Sequence, residues 1–536
     1  MDANYLLLAL LGGAAVWLSR SGTAKLPRSA SARWGGRAER AQALRTARQQ
    51  QQRRAKNKVA LQINPAAGGG QLIPVPHAER GVLVMGQPGS GKTYSAIDPL
   101  VRSALRQELP LVLYDFKYPT QTQRLAAYAR HLGYSTQVFA PGFAESAVFN
   151  PLDLLASEED SETARQLAEV LGRNFKLVAS QSGEDAFFGP AGDQLAEAVL
   201  LTAKASPYPD LLMVQSILSL GELPKRLQQA DHLSNWIKAS YGQFLSTASS
   251  EKTAASIVAT ASALFTRILK PQVARSFAGT STIDFELTGK KLLILGVDRT
   301  RRDVVLPLVA TLLHMLIQFN AHSRRKDPLV LVLDELPTLF LPALVNWLNE
   351  NREDGLVSIL GLQNLAQLEK TYSKETARAI FGACATKFLF NPGEKDSAQY
   401  ISEMLGNESI VQRTLSRNSG KGGASRTYAD NEKTRPLLEA SSLLKLGQGH
   451  CLLLNPEYGR ASEAGVPMRL LVRLHPSEIA VADLCERLWP KEQATLAQNS
   501  ALLSAQALAQ RQQAAERFLP LDASDSPASS RSVQLF

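Results

Sequence analysis

Short apolar runs alternate with longer stretches of helical pattern along most of the chain. The apolar runs occupy residues 81–85, 111–114, 292–297, 329–333, 357–361, 386–390 and 450–454. Runs of this length are typical of strands buried on both faces. Because helical stretches separate them, we predict an α/β fold with a central, mostly parallel sheet and helices on both of its faces.

Residues 155–275 have a different pattern. They contain almost no strand-like run, and helical periodicity dominates in stretches such as GDQLAEAVLLTAKA and LLMVQSILSL. We therefore predict an all-helical domain inserted between the two halves, 76–154 and 276–490, of the α/β domain. Residues 491–536 are predicted to form an Ala/Gln-rich helix and a disordered, Ser/Asp-rich tail.

The N-terminus begins with an apolar segment. Residues 3–18 are apolar except for Asn4, and a helix of this length spans about 24 Å, less than the ~30 Å hydrocarbon core of a bilayer. The basic residues follow this segment, which is unlike a signal peptide. The positive-inside rule then predicts a single-pass anchor at 1–19 in the inner membrane, with the bulk of the chain in the cytoplasm. The alternative is a removable or soluble apolar helix.

Positive charge is concentrated just after this segment. Between Ser19 and Ala60 there are twelve Lys or Arg residues and one acid, Glu39, so this stretch carries +11 while the whole chain carries +10. The rest of the chain is nearly neutral, and its charge is no evidence that it binds nucleic acid. We predict that residues 20–75 form a basic juxtamembrane linker that lies on anionic headgroups. Contact with nucleic acid is the alternative.

The stretch VLVMGQPGSGKTYSA at 82–96 reads as a strand, a glycine-rich turn and the start of a helix. Its spacing matches the phosphate-binding motif G-x-x-x-x-G-K-[ST], in which backbone N–H groups surround the phosphates. Lys92 would reach the β- and γ-phosphates of ATP, and Thr93 would supply a ligand to Mg²⁺. The alternative is a turn that binds nothing. The predicted nucleotide-binding residues are Gly86, Gln87, Pro88, Gly89, Ser90, Gly91, Lys92 and Thr93.

A pair of acids follows the apolar run 329–333. Asp334 and Glu335 stand at its end, where two adjacent carboxylates are costly unless they have a partner such as a cation. Asp334 would hold Mg²⁺, and Glu335 would orient or deprotonate the attacking water. The alternative is an exposed strand-to-loop turn, which the phosphate loop elsewhere in the chain disfavours.

Two polar residues flank the next apolar run. Gln363 follows it, and its amide is suited to hydrogen-bond the γ-phosphate. Arg352 precedes it, and an arginine there is suited to neutralise transition-state charge at a neighbouring subunit's site. The alternative for Arg352 is a surface ion pair with Glu353 or Asp354.

The stretch YDFKYP at 114–119 lies at the end of another predicted strand. It places Asp115 and Lys117 at the carboxyl edge of the sheet, where α/β folds bind ligands. A loop that lines the nucleotide or translocation site is one interpretation. A simple strand-end turn is the other.

The order and spacing of these motifs resemble those of the coupling proteins of type IV secretion and bacterial conjugation, the membrane-anchored DNA-transfer ATPases. The resemblance also rests on FNPLD at 149–153, ASIVATASALF at 255–265, LQNLAQLEKTY at 362–372 and TRPLLEASSLLKLGQGHCLLL at 434–454. It covers most of the chain, although only the phosphate loop is diagnostic alone. Many relatives have two transmembrane helices, whereas this sequence has one short apolar span.

The resemblance implies a RecA-like ring, usually a homo-hexamer, with Mg²⁺ and ATP between neighbours and the helical insert at its cytoplasmic mouth. It implies that Gln363 is a sensor and Arg352 the trans-acting arginine, with Arg80 a second candidate at the nucleotide. The implied partners are single-stranded DNA with a relaxase or other attached protein, the components of the secretion channel, and the inner membrane.

One stretch is a candidate for DNA contact. Residues 413–427, RTLSRNSGKGGASRT, are rich in Gly and Ser and include Arg417, Lys421 and Arg426 but no acid. Rings that move single strands line their pores with cations that follow the backbone. A loop that lines the pore is therefore one interpretation of this stretch, and an ordinary mobile surface loop is the other.

The resulting hypothesis is a membrane-anchored ATPase that moves DNA into a secretion channel. One alternative is an intracellular DNA translocase of the FtsK/HerA type. Another is a nucleotide-binding membrane receptor or scaffold without motor activity. Glu335 argues against the scaffold, because a switch for assembly alone does not need a water-activating acid.

Overall fold

A computed structural model of the chain describes residues 32–53, 57–64, 71–182, 190–420, 423–460, 463–498 and 503–521. The predicted anchor at 1–19 and most of the predicted tail lie outside these residues. Among the described residues, Arg299–Ala321 is the one segment long and apolar enough to cross a membrane. However, 83% of its most apolar window is buried inside the protein, as in the core helix of a soluble domain.

The strands are numbered along the described chain. They are β1 (Leu61–Ile63), β2 (Ile73–Val75), β3 (Val82–Met85), β4 (Leu111–Asp115), β5 (Ser135–Phe139), β6 (Lys291–Gly296), β7 (Leu329–Leu333), β8 (Leu356–Leu362), β9 (Thr386–Leu389), β10 (Asn407–Gly420), β11 (Gly423–Pro436), β12 (His450–Leu454) and β13 (Met468–Leu471).

The α-helices are numbered in the same way. They are α1 (Arg37–Arg53), α2 (Asp98–Arg106), α3 (Ala126–His131), α4 (Ser161–Ser182), α5 (Pro190–Lys204), α6 (Leu211–Leu218), α7 (Leu223–Gln229), α8 (Asn235–Ser240), α9 (Gly242–Ser246), α10 (Glu251–Thr266), α11 (Pro271–Ala274), α12 (Arg302–Ala321), α13 (Leu344–Asn349), α14 (Leu365–Tyr372), α15 (Lys374–Ala383), α16 (Lys395–Leu405), α17 (Ala440–Leu443), α18 (Pro476–Ala497) and α19 (Ala507–Phe518).

Internal contacts divide the chain into two compact units. The larger contains Gly35–Glu394 and the residues from Leu446 onward, and the smaller contains Lys395–Lys445 together with the described residues before Gly35. The larger unit is built on a nine-stranded sheet in the order β13-β12-β9-β3-β8-β7-β4-β6-β5. Its strands are parallel from β9 to β5, and β12 runs antiparallel to both β9 and β13. The predicted α/β fold with a mostly parallel sheet is confirmed.

The register of the central strands aligns their carboxyl ends. Met85 of β3 pairs with Leu362 of β8, and Leu333 of β7 pairs with Leu360 of β8 and Tyr114 of β4. All four strands are buried throughout, as their apolar runs predict. The residues that follow these strands therefore meet at one edge of the sheet.

A helical region separates β5 from β6. Helices α4 to α10 lie between Ser161 and Thr266, and the described part of 155–275 contains no strand. The C-terminal helix α19 packs on α6 of this region. There, Arg511 Nη2 donates to Asp210 Oδ2 at 2.7 Å, and Asp210 also caps the start of α6. The exact boundaries of the inserted domain stay a prediction.

Two segments differ from their predicted form. Part of the supposed linker at 20–75 is folded, because α1 buries Ala43 and Ala47 and is followed by the β1–β2 hairpin. This stripe of alanines is inconspicuous in a sequence dominated by Arg and Gln. At the other end, α18 runs continuously through the proposed boundary at 490/491.

The smaller unit contains a long hairpin. β10 and β11 pair without a break from Asn407↔Pro436 to Gly420↔Gly423. The predicted Gly/Ser loop at 413–427 is therefore wrong, because the described residues of this stretch lie in two paired strands. Arg417 and Arg426 are partners in the register, and Lys421 lies outside the described residues.

Candidate active site

The phosphate-loop motif lies between β3 and a helix that begins at Lys92. This helix opens with a π-helical turn, Lys92–Ile97, and continues as α2. Gly89 and Gly91 have φ angles of +79° and +97°, which favour glycine. A Cβ on Gly86 would lie 2.5 Å from Ser90 Oγ. The glycines therefore permit the tight turn that presents Lys92 and Thr93 at the carboxyl edge of the sheet.

Asp334 and Glu335 lie at the same edge, directly after β7. Lys92 Nζ is 3.4 Å from Asp334 Oδ1 and 3.2 Å from Glu335 Oε2. Thr93 Oγ1 donates a hydrogen bond of 2.6 Å to Asp334 Oδ2. The structure thus brings together the four side chains that the sequence assigned to one magnesium–nucleotide site.

The electrostatic balance of this cluster centres on Lys92, whose side chain is 9% exposed. Burial alone lowers the pKa of Lys92, but the negative charges of Asp334 and Glu335 outweigh this effect and raise the pKa above its ordinary value. Lys92 is therefore protonated at neutral pH. One ammonium faces two carboxylates, so the cluster can accept a further cation.

Gln363 joins the cluster from the end of β8. Its Nε2 donates to Glu335 Oε1 at 2.8 Å, and its Oε1 accepts from Gln367 Nε2 at 3.3 Å. The carboxylate of Glu335 is thereby held between Lys92 and Gln363. The residue predicted to be a sensor contacts the residue predicted to activate water.

Three further residues support the cluster and were missed in the sequence. Thr338 Oγ1 donates to the carbonyl oxygen of Glu335 at 2.6 Å and lies 2.8 Å from Tyr114 Oη. On β8, a Cβ added to Gly361 would lie 2.2 Å from the carbonyl oxygen of Asp334. A glycine inside an apolar strand is a signal of close backbone approach, and Gly361 was recognisable in that way.

The loop after β4 reaches the same cavity. Asp115 is buried, and its Oδ2 accepts hydrogen bonds from Gln121 N, Thr122 N and Thr122 Oγ1, all at 2.9 Å. Burial raises the pKa of Asp115, and these hydrogen bonds oppose the increase. Lys117 lines the cavity with the phosphate loop and the acid pair. The YDFKYP stretch is therefore part of the wall of this cavity.

The cavity has a volume of about 360 Å³. It is lined by the phosphate loop, by residues that follow β4, β7 and β8, and by Gln448. Ser90 Oγ, within the phosphate loop, is buried and has no hydrogen-bond partner in the described part of the chain. A glycine-rich turn at a helix start, one buried ammonium and two acids together fit a polyphosphate accompanied by a divalent cation.

Arg80 and Arg352 lie at the other edge of the sheet. Arg80 ends a 3₁₀ turn before β3, and Arg352 lies in the turn before β8. Because β3 and β8 are parallel neighbours, both arginines are at amino ends of strands, whereas the cavity is at carboxyl ends. Neither arginine lines this chain's own cavity. Within the described residues Arg352 makes no ion pair with Glu353 or Asp354.

A separate metal centre is not found among the residues that the structure describes. No group of three or more His, Cys, Asp or Glu side chains is placed there to hold a metal ion. The three cysteines are free and buried.

Comparison with protein families gives a match over most of the chain. The family is the type IV secretion-system coupling protein DNA-binding domain, and its match covers residues 68–461. That range includes the phosphate loop, the helical region, the acid pair and Gln363.

Two relatives share shorter segments. The conjugal transfer protein TraG of Rhizobium radiobacter is 25% identical over 130 residues, which are 24% of this chain and 20% of that protein. The coupling protein TraD of Escherichia coli (strain K12) is 36% identical over 74 residues, which are 14% of this chain and 10% of that protein. The matched segments thus span a fifth or less of these relatives.

Solved structures of the coupling protein TrwB have a similar fold. TrwB in complex with ADP and Mg²⁺ has a TM-score of 0.57 and 14% identity, covering 75% of this chain and 88% of that chain. The unbound monoclinic form has a TM-score of 0.54 and 14% identity, covering 80% of this chain and 91% of that chain. At this identity the similarity concerns the fold alone.

Proposed function

The chain belongs to the family of type IV secretion-system coupling proteins, and on this premise we propose that it is a membrane-anchored ATPase. It would use ATP hydrolysis to recruit DNA, alone or with attached protein, and to move it into a secretion or conjugation channel. ATP is the proposed substrate and Mg²⁺ the cofactor. The observation that carries the proposal is the contact of Lys92 and Thr93 with Asp334 and Glu335.

The side chains of the cavity have distinct roles in this reaction. Lys92 would bind the β- and γ-phosphates in place of its carboxylate partners, and Thr93 and Asp334 would hold Mg²⁺. Glu335 would accept a proton from the attacking water, and Gln363 orients Glu335 through its 2.8 Å hydrogen bond. Bound there, Mg²⁺ would neutralise charge on the phosphate oxygens.

An ATPase assay on the full-length chain tests the proposal, with and without single- and double-stranded DNA and across a range of salt. We expect DNA to stimulate ATP hydrolysis, and we expect high salt to reduce this stimulation because DNA binding is electrostatic. Lys92→Ala should abolish hydrolysis. Stimulation by duplex alone would instead favour an intracellular translocase. Negligible turnover under all conditions would contradict a motor and leave a receptor or scaffold.

We also propose a RecA-like homo-hexameric ring in which Arg352, and secondarily Arg80, serves the cavity of a neighbouring subunit. Two observations support this. Both arginines lie at the edge of the sheet away from their own cavity, and neither side chain has a hydrogen bond or ion pair within the described chain. An arginine supplied by a neighbour neutralises transition-state charge in phosphoryl transfer.

The β10–β11 hairpin is the proposed element of DNA contact. Arg417 and Arg426 lie opposite each other in its register, and the sequence between them contains no acid. Two strands of 14 residues each extend over about 45 Å, long enough to follow several nucleotides. Lys421 is also proposed to contact DNA, solely because it lies between these two arginines in the sequence.

The inner membrane is the proposed location, with the anchor at 1–19 outside the described residues. Helix α1 supports an attraction to the membrane surface. Arg37, Arg45 and Arg48 are exposed on the side of α1 opposite the buried Ala43 and Ala47. The one acid of the helix, Glu39, is 1% exposed and paired with Arg460 at 2.7 Å. A face of this charge is attracted to anionic headgroups.

A further inference from the structure

The cavity contains a cation that the proposed chemistry does not use. Lys117 lines it together with the phosphate loop and the acid pair. Its side chain is exposed and has no hydrogen bond or ion pair among the described residues. A free ammonium in a cavity that fits a polyphosphate is a ready partner for an anionic group.

The other two cations that line the cavity are already paired. Lys92 contacts Asp334 and Glu335, and Arg124 Nε lies 2.8 Å from Asp98 Oδ2. Asp98 is fully buried, so its negative charge needs Arg124. Of the lining cations that the structure describes, Lys117 is thus the one whose charge is free for a ligand.

The backbone of Lys117 is fixed on both sides. Asp115 Oδ1 accepts a hydrogen bond from Lys117 N at 3.2 Å, in addition to its bonds to the end of the loop. Tyr118 Oη donates to Glu145 Oε1 at 2.7 Å, and its ring packs edge-on against Phe143 with centroids 4.9 Å apart. A loop held in this way loses little entropy when its lysine binds a ligand.

The position of Lys117 along the edge indicates which group it would bind. β4 lies next to β7, whereas the phosphate loop follows β3, two strands away from β7 on its other side. Neighbouring strands are about 4.8 Å apart, so Lys117 stands beside the acids on the side away from the phosphate loop. A nucleotide held by the phosphate loop would direct its terminal phosphate toward the acids, in the cavity that Lys117 also lines.

We propose that Lys117 binds the terminal phosphate of a nucleoside triphosphate and so gives the cavity its preference for triphosphate over diphosphate. This inference rests on the proposed function. The α- and β-phosphates would be bound by the phosphate loop, so Lys117 would add nothing to the affinity for a diphosphate.

Binding of fluorescent AMP-PNP and fluorescent ADP, each with Mg²⁺, to the full-length chain tests the inference. We expect Lys117→Ala to raise the Kd of the triphosphate analogue roughly 10- to 100-fold, the range of a hydrogen bond to a charged group, and the Kd of ADP less than about twofold. Lys117→Arg should retain most of the preference. The matched control is Lys374→Ala, an exposed lysine on α15, which should change neither Kd.

Equal weakening of both nucleotides by Lys117→Ala, or no weakening, would overturn the inference. Lys92→Ala separates this failure from a failure of the proposed function. If Lys92→Ala abolishes nucleotide binding while Lys117→Ala leaves the preference for triphosphate unchanged, the nucleotide site is supported and the proposed role of Lys117 is wrong. If Lys92→Ala has no effect on either nucleotide, the proposed function itself is wrong.

Discussion

The two edges of the central sheet use charge in opposite ways. At the carboxyl edge Lys92 pairs with Asp334 and Glu335 at distances of 3.4 and 3.2 Å. At the amino edge the side chains of Arg80 and Arg352 have no hydrogen bond or ion pair with described residues. The first edge holds charged side chains that are paired within one chain, and the second has cations that are left without a partner among the described residues. Under the proposed function, the contrast means that one chain contains most of an active site and depends on a neighbour for the remaining cation.

The largest effect on kcat is expected when both arginines of the amino edge are removed. We expect Arg80→Ala/Arg352→Ala to lower kcat roughly 10⁴-fold, as loss of a trans-acting arginine does, with ATP binding retained. Steady-state hydrolysis at saturating ATP and DNA measures the effect. Mixing this variant with Lys92→Ala, which keeps its arginines, should restore part of the activity. No recovery on mixing would show that the arginines do not act across subunits.

Glu335→Gln changes the acid pair at the carboxyl edge, and its expected effect on kcat is smaller. The amide keeps the shape of the side chain but cannot accept the proton, so kcat should fall roughly 10³-fold while nucleotide binding persists. Steady-state hydrolysis and equilibrium binding measure the two properties. Glu375→Gln, an exposed acid on α15, is the control and should be normal. Turnover near that of the unsubstituted chain would remove Glu335 from the chemistry.

Gly361→Ala tests the close approach of β8 to Asp334. The added Cβ would lie 2.2 Å from the Asp334 carbonyl oxygen, so the backbone must shift, at roughly 1–3 kcal/mol. We expect a lower Tm and weaker ATP hydrolysis. In contrast, Gly382→Ala on α15 meets no atom within 4 Å and should raise Tm slightly, because alanine is the better helix former. Equal Tm for both variants would contradict the crowding.

The smallest expected effect concerns the support of Glu335 through Thr338. Tyr114→Phe removes one buried hydrogen bond to Thr338, at roughly 1 kcal/mol of stability, and should lower kcat by less than about tenfold. Tyr372→Phe is the control, because Tyr372 Oη accepts from Leu341 N at 3.1 Å without contact to the acids. It should lower Tm similarly and leave kcat unchanged. An equal loss of kcat in both variants would assign the effect to general destabilisation.

The central strands could be predicted from the sequence because each is an apolar run buried on both faces. Strand β5 escaped prediction because it lies at the edge of the sheet with three of its five residues exposed or half-buried. β10 and β11 escaped because their polar residues resemble a loop, and strand pairing depends on a partner that local composition does not reveal.

The candidate site was predictable as two motifs, and only the fold shows that they meet. Lys92 and Asp334 are 242 positions apart, and the parallel register of β3, β8 and β7 brings their ends together. Thr338 and Tyr114 could not be assigned in advance, because their roles exist only through contacts with Glu335. The inability of Arg80 and Arg352 to reach their own cavity likewise follows from strand direction.

The pairing of Lys92 with two carboxylates affects how tightly a nucleotide would be held and how readily it would be released. An incoming phosphate competes with internal anions, so part of its attraction is offset and the nucleotide is held less tightly than by an unengaged lysine. In the proposed reaction, the same carboxylates would pair with the Lys92 ammonium again after hydrolysis and so favour release of the products. Under the proposed function, such a pocket would favour repeated turnover over long retention of the nucleotide.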